Sequence, residues 1–364
     1  FQLKIRRMQG LLTLVYVRRR DLPSYTNIES EFTRAGWGGW WGNKGGVSVR
    51  FEVNGTKVIF VNCHLAAHRN NVKERLEDYD TILATQFFKD NDTDNILDHD
   101  MVFWLGDLNF RVDDFSREEV ESHIAKKLYD PLLEKDQLLD CMKKELILVN
   151  FKEGHIKFPP TYKFDKGTDI YDSSQQRRVP AWCDRILWNV DEATFVNVDI
   201  TVEQTRYTSL IEYTDSDHKP VIGTFDLQVC AHPVSPAIVT FYLPCKLYIN
   251  QENEIRYKMN KDKKRSSSSW DWIGLYKEDF THLRKYESYT YAKANAEDKK
   301  NGVTLTLSRS MMAVLPGNYY LCYISQYKDT LLGMSQLITV RMILLFICTH
   351  IYFKKKGRII ADCK

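Results

Sequence analysis

The chain has 364 residues, 43% of them hydrophobic, so it can bury more than one core, and its length suggests about two domains. Its 51 Lys and Arg against 48 Asp and Glu leave a net charge of only +3, which argues against a nucleic-acid binder that tracks phosphates through a strong basic stripe. Eight cysteines scattered without paired spacing argue against a disulfide framework and fit a reducing cytosol.

In chain order, Gln2–Arg7 leads into a predicted strand, Leu11–Val17. Gly36–Gly42 then sets Trp37, Trp40 and Trp41 among glycines. Tryptophan prefers the membrane–water interface, so these rings either dip into lipid or pack as core residues under a glycine-rich turn. Lys44, just after them, meets either a phosphate or the lipid surface. Asn54-Gly55 is a two-residue hairpin signal joining Gly46–Val53 to Lys57–Asn62, and the second strand delivers His64. Apolar spacing predicts helices over Val72–Asp90, Ser116–Leu128 and Pro131–Leu146, with Ser116 and Glu119 forming a capping box. Met101–Leu105 reads as a buried strand ended by Gly106, which places Asp107 and Asn109 at its mouth. Asp107 is there either as an acceptor with a chemical task or as a turn aspartate satisfying backbone N–H groups.

Further along, Pro159 and Pro160 stiffen a segment from which Tyr162 and Lys163 are expected to project. Asp184 precedes the apolar Ile186–Trp188, and an ion pair with adjacent Arg185 is awkward because neighbours in a strand point to opposite faces. Asp217 and His218 stand side by side before the strand Val221–Leu227. Carboxylates and imidazoles at strand ends suit hydrolysis of a phosphate ester. Carboxylates can hold Mg²⁺ and position or deprotonate the attacking water, while histidines and an asparagine amide steady the phosphoryl oxygens. There is no Gly-x-Ser-x-Gly elbow, CxxC pair, HExxH or Walker sequence, so serine-hydrolase, zinc and nucleotide-motor readings lose ground.

The ordered set NKGGV, NCHLAAH, WLGDLNFR, FPPTYKF, RVPAWCDRIL and SDHKPV resembles the inositol polyphosphate 5-phosphatases, members of the endonuclease/exonuclease/phosphatase fold. The resemblance spans about residues 10–228. It implies an α/β architecture, a four-layer sandwich of two β-sheets flanked by helices, and Mg²⁺-dependent removal of the 5-phosphate from phosphoinositides or soluble inositol phosphates. By the same resemblance, Asp107 activates the water, Asn109 and His64 bind the phosphoryl group, and His218 contacts it with Asp184 orienting the ring. Asp217 is expected beside the metal and water. Lys163 and Arg178, with Tyr162, resemble the clamp on a neighbouring ring phosphate, the 4-phosphate. One departure is Gln176 where many relatives have lysine, with Arg177 next to it as a candidate replacement. The loop before NKGG, with its tryptophans, is expected to face lipid. The family's metal-binding glutamate belongs to a motif expected upstream of Phe1, since Glu29 and Glu31 lack a matching context, so the metal ligands of this chain are unknown and the chain alone is expected to be weak or inactive.

The pattern changes near Val229–Pro236, read as a linker after a catalytic domain over 1–228. Predicted strands follow at Ala237–Leu243, Lys246–Ile249, Glu254–Met259, Trp270–Tyr276, Val303–Leu307 and Asn318–Ser325, spacing that indicates a β-sandwich over 237–340. WDWIGLYK and LPGNYYLCYIS resemble the SKICH domain, an all-β immunoglobulin-like module carried by a subset of the family, which implies recruitment of protein partners or membranes. Lys261–Arg265 with its serines is a lipid contact or a hairpin tip. Residues 341–364 form an apolar and basic tail, with Met342–Phe353 too short for a membrane span. The expected setting is cytoplasmic and peripheral to a plasma or endoplasmic reticulum membrane, with no nucleic-acid partner. Two other classes stay open: a nucleic-acid endonuclease or sphingomyelinase of the same fold, and a non-catalytic recruitment protein.

Overall fold

The structure, a computed structural model, describes residues 1–342 except 89–93, 191–199, 230–237, 245, 260–267, 269, 293–301 and 327–329. The N-terminal part holds the strands β1 (Gln2–Met8), β2 (Leu11–Tyr16), β3 (Tyr25–Ala35), β4 (Trp41–Val53), β5 (Thr56–His64), β6 (Met101–Asp107), β7 (Lys152–Glu153), β8 (Asp184–Val190), β9 (Thr201–Ser209) and β10 (Val221–Gln228). Its helices are α1 (Gly36–Gly39), α2 (Val72–Thr85), α3 (Arg117–Ala125), α4 (Asp130–Leu133) and α5 (Gln137–Lys143).

One six-stranded sheet, in the order β3-β4-β5-β6-β8-β7, forms the centre. Its middle strands are apolar on both faces, which is why β6 reads as an unbroken hydrophobic run. Ile59, Val61, Val102, Trp104 and Leu187 face α2 and α5 through Tyr79, Ile82, Leu138 and Cys141. The alternate residues Val58, Met101, Phe103 and Trp188 pack on the other side against Leu3 and Val15 of the β1-β2 hairpin and Val202 and Phe225 of the β9-β10 hairpin. Residues that alternate along a strand thus fill two cores, as the two-layer sheet architecture requires. Phe225 is the wedge between layers, its ring 5.2 Å from those of Phe103 and Trp188.

Several elements differ from their sequence-based expectation for identifiable reasons. Helix α2 stops at Thr85 because Gln86 turns inward, hydrogen-bonding Ser48 and the Gly46 carbonyl. The single helix expected over Pro131–Leu146 is two, α4 and α5, divided where Asp136 caps the Leu139 N–H at 3.1 Å. That carboxylate also receives buried Arg185 at 2.9 Å, a tertiary contact invisible to helical periodicity. Strands β1, β3 and β9 escaped notice because they are polar and at most half-buried along much of their length. On β3, Glu29 faces buried Arg50 across the ladder at 3.6 Å.

The C-terminal part is all β. It contains β11 (Val239–Tyr242), β12 (Lys246–Tyr248), β13 (Asn253–Met259), β14 (Trp272–Lys277), β15 (Ser288–Tyr291), β16 (Val303–Leu307), β17 (Gly317–Ser325), β18 (Thr330–Met334) and β19 (Ile338–Arg341). A three-stranded sheet, β11-β13-β16, and a larger one, β12-β19-β17-β14-β15 with β18 on β17, enclose a core that includes Leu247, Ile255, Leu275, Leu305 and Tyr323. This sandwich packs on the N-terminal hairpin. Leu22 enters a cluster with Tyr276, Phe280 and Ile324, and Arg19 Nε donates to the Phe280 carbonyl at 3.0 Å. The Lys261–Arg265 run and tail residues 343–364 lie outside the described residues. Among the described residues no helix is long and apolar enough to cross a membrane.

Candidate active site

Four neighbouring strands bring their polar ends into one row. Gly45 on β4 pairs with His64 on β5, His64 pairs with Asp107 on β6, and Asp107 pairs with Asp184 on β8. Residues directly opposite on adjacent strands share a face, so the register itself presents the imidazole and two carboxylates side by side. The strands approach closely enough only because two positions are glycine. Gly106 has φ +124° and a Cβ there would lie 2.2 Å from the Cys63 carbonyl; Gly45 has φ +133° and its Cβ would lie 1.9 Å from the Thr33 carbonyl.

His64 Nε2 is 3.2 Å from Asp107 Oδ2 and also touches the Lys44 ammonium. Lys44 therefore belongs to this centre rather than to a lipid-facing surface, and burial lowers its pKa despite the attraction of Asp107. Burial alone would raise the Asp107 carboxyl, but the His64 hydrogen bond and the charges of His218, His64 and Lys44 hold it below the usual carboxylate value. It is an anion at neutral pH. Its other oxygen accepts from the Asn109 N–H at 3.1 Å.

Asn109, at φ 57° and 3% exposed, is held from both sides. Its Nδ2 donates to the Leu65 carbonyl at 3.0 Å, and its Oδ1 accepts from Arg111 Nη2 at 2.6 Å. Arg111 in turn lies 4.0 Å from the centroid of Tyr162, whose ring is 4.7 Å from that of His218. The stack corrects one expectation. Tyr162 does not project from a rigid loop; it is buried, bridging Ala181 and His218 in short β-pairings that turn its ring inward.

His218 Nδ1 lies 2.9 Å from Asp184 Oδ2, and the Thr161 hydroxyl donates to the same oxygen at 2.8 Å. Burial disfavours charge on His218, yet the Asp184 hydrogen bond and the charges of Asp184, Asp107 and Asp217 outweigh it and raise its pKa. Ligand atoms of Asp107, Asp184 and His218 all lie within 4.8 Å of one another. Two carboxylates in such a group suit a hard divalent cation that takes oxygen ligands and keeps several waters. Asp184 is not paired with Arg185, which instead points to the opposite side and bridges Asp136 and Glu153.

Asp217 is placed differently from expectation. It is outside the group formed by Asp107, Asp184 and His218, and its carboxylate pairs with the Lys163 ammonium. With the His218 ring turned to the centre, Asp217 in the bend before it lines a second cavity. That cavity, of about 630 Å³, is lined by Lys163, Lys166, Arg178, Gln176, Asp172 and Asp217 among others. Burial opposes ionisation of Asp172, but hydrogen bonds from Ser174 and Arg178 pull its pKa down to about 2, and it anchors Arg178 at 3.2 Å. Arg177 does not replace the missing lysine: it turns away to Glu118 at 3.0 Å. Lys166 lines the cavity, a residue passed over because it stands in the turn just after the FPPTYKF segment. Arg111 and Thr161 were likewise missed, though both stand inside quoted motifs, because their partners come from distant segments.

Trp40 is 89% exposed and Trp41 54%, so neither is the core residue one reading allowed. The side chain of Trp37 lies outside the described residues.

A two-layered sheet whose strand ends gather paired carboxylates and imidazoles beside a cation-lined cavity defines a phosphoesterase of the endonuclease/exonuclease/phosphatase kind. Residues 2–224 match the Endonuclease/Exonuclease/phosphatase family 2, and residues 239–340 match the SKICH domain. The chain is 38% identical over 340 residues to mouse inositol polyphosphate 5-phosphatase K, covering 91% of this chain and 72% of that one. It is 39% identical over 337 residues to human phosphatidylinositol 4,5-bisphosphate 5-phosphatase A, covering 91% of this chain but 33% of the relative. Among solved structures, it is similar to the inositol polyphosphate 5-phosphatase domain of SPsynaptojanin in complex with inositol (1,4)-bisphosphate and calcium ion, with 37% identity, a TM-score of 0.55 and 62% of each chain covered. The chain belongs to the inositol polyphosphate 5-phosphatases, and to the group of them that carries a SKICH domain.

Proposed function

We propose that this protein is a Mg²⁺-dependent phosphomonoester hydrolase that removes the 5-phosphate of phosphoinositides such as phosphatidylinositol 4,5-bisphosphate and 3,4,5-trisphosphate, and of soluble inositol polyphosphates. The observation that carries the reading is the in-register row of His64, Asp107 and Asp184, with His218 hydrogen-bonded to Asp184. Asp107, kept anionic, orients the attacking water and accepts its proton. The His218 ring, whose raised pKa favours its charged form, stabilises together with His64 and the Asn109 amide the negative charge that grows on the phosphoryl oxygens. Asp107 and Asp184 supply the carboxylate oxygens to which Mg²⁺ would bind, and the bound ion would neutralise part of that charge. Lys163, Lys166 and Arg178 give the neighbouring cavity the charge to take a second ring phosphate, Arg178 through its planar fork. Exposed Trp40 and Trp41 support work at a membrane surface, in the cytoplasmic setting that we propose.

The test is phosphate release, followed by malachite green, from phosphatidylinositol 4,5-bisphosphate and in parallel from abasic DNA. It is run on this chain with Mg²⁺ present. Phosphate released from the inositide and not from DNA, and lost in Asp107→Ala with the unfolding midpoint preserved, supports the reading. Ordinary turnover by Asp107→Ala removes that residue from the mechanism, and a folded chain silent on the inositide with Mg²⁺ present leaves recruitment as the function.

A further inference from the structure

Far along the chain from the phosphatase motifs, the C-terminal sandwich carries a cluster of aromatic rings of which only Trp272 packs against a buried cluster. Trp270, Trp272, Tyr286, Tyr289 and Tyr291, with Gln326, line an open cavity of about 270 Å³ on the sheet edge formed by β14 and β15. The rings meet one another edge to face. Trp270 and Tyr291 stand at 81°, Tyr289 and Tyr291 at 87°, Trp272 and Tyr289 at 76°, and Tyr286 and Tyr289 at 72°. Near-perpendicular packing makes walls rather than a stack, and each wall carries the negative face of an aromatic quadrupole. Four of the five rings stay substantially exposed, Trp270 at 59%, Tyr291 at 50%, Tyr289 at 46% and Tyr286 at 42%. No charged side chain lines the cavity among the described residues.

The chemistry selects one kind of guest. A primary ammonium or guanidinium is strongly hydrated and would have to exchange that shell for the few neutral acceptors here, the phenol oxygens and the Gln326 carboxamide, with no carboxylate among the lining residues. A quaternary ammonium needs none, sheds its weak hydration readily and is attracted by several ring faces at once. At the rim, the phenol hydroxyls of Tyr286, Tyr289 and Tyr291 and the Gln326 amide can donate to an anion next to that cation. A cation walled by rings, with donors at its edge, is the recognition pattern for a phosphocholine group.

We propose that this aromatic cavity binds the phosphocholine headgroup of membrane lipids, so that the sandwich docks the enzyme on a choline-bearing bilayer through a site separate from the catalytic centre. Binding is read without turnover, so the proposal stands or falls independently of the hydrolase assignment.

The full chain is titrated with soluble phosphocholine and phosphoethanolamine by calorimetry, and sedimented with neutral vesicles of phosphatidylcholine or phosphatidylethanolamine. Phosphocholine is expected to bind saturably and at least tenfold more tightly than phosphoethanolamine, and phosphatidylcholine vesicles to retain more protein. Trp270→Ala and Tyr289→Ala should each lose tenfold or more, while Tyr289→Phe, which keeps the ring, retains binding. Equal affinity for the two headgroups overturns the proposal. So does capture of a trimethyl-lysine or proline-rich peptide by a protein that ignores phosphocholine. Should either alanine variant unfold, the discrimination between headgroups by the wild-type chain and by Tyr289→Phe decides the matter.

Discussion

Replacing Asp184 with asparagine separates charge from shape at the heart of the site. Both His218 Nδ1, at 2.9 Å, and the Thr161 hydroxyl, at 2.8 Å, meet Asp184 Oδ2. Asparagine keeps an acceptor there, so the imidazole should hold its orientation while losing its counter-charge. A hydrogen bond to a charged group contributes about 1.5–3 kcal/mol, and a neutral one about half as much. The difference, about 0.75–1.5 kcal/mol, corresponds to a loss of about 4- to 12-fold in rate. Although burial works against it, Asp184 helps raise the His218 pKa above its ordinary 6.5, so wild-type activity should persist through neutral pH and fall on the alkaline side. In Asp184→Asn the fall should begin at lower pH. The stability linkage has the same sign: a raised folded-state value stabilises fully below 6.5 and ceases to do so as pH rises through that raised value. The variant's stability deficit should therefore be largest on the acid side and shrink in alkali. Phosphate-release rates across pH, together with NMR titration of the His218 ring, measure both. An unchanged alkaline limb and an unchanged ring titration would refute the pairing.

Other outcomes follow from the same geometry. Lys163→Ala and Lys166→Ala should each weaken the preference for 4-phosphorylated over unphosphorylated neighbours in substrate competition, whereas Arg177→Ala, whose side chain turns to Glu118, should not alter relative rates. Arg185→Met leaves Asp136 and Glu153 buried without their cation, and should cost about 3–5 kcal/mol in guanidinium unfolding. Chelation of divalent ions should abolish phosphate release and added Mg²⁺ restore it; release that survives chelation would exclude the proposed ion. Gly106→Ala should destabilise the chain, read as a lower thermal midpoint, because its Cβ would collide with the Cys63 backbone.

Much of the centre was legible because its residues end apolar strands, and strand ends are marked by composition. Met101–Leu105 announced β6, and the Asn54-Gly55 turn announced the β4-β5 hairpin that aligns Gly45 with His64. The register joining β5, β6 and β8 was not readable, since parallel and long-range pairing leaves no local signal. Asp217 shows the limit most clearly. Its identity and its neighbour were known, but which of the two faced the centre depended on the loop's path beside Tyr162. The split of α4 from α5 likewise depended on Arg185, which arrives from 49 residues away. Polar edge strand β3 gave too little apolar signal to be recognised, and the C-terminal strands β15, β18 and β19, four or five residues each, were too short to stand out.

The aromatic stack from Arg111 through Tyr162 to His218 ties two tasks to one piece of scaffold. Lys163 is the next residue after Tyr162, so moving its ammonium to suit a different head group drags the ring that braces the imidazole. Turnover and ring selectivity are thereby geared together along this path. Divergence toward new inositides without a penalty in speed must instead work through the cavity's other wall, at Lys166, Gln176 and Arg178.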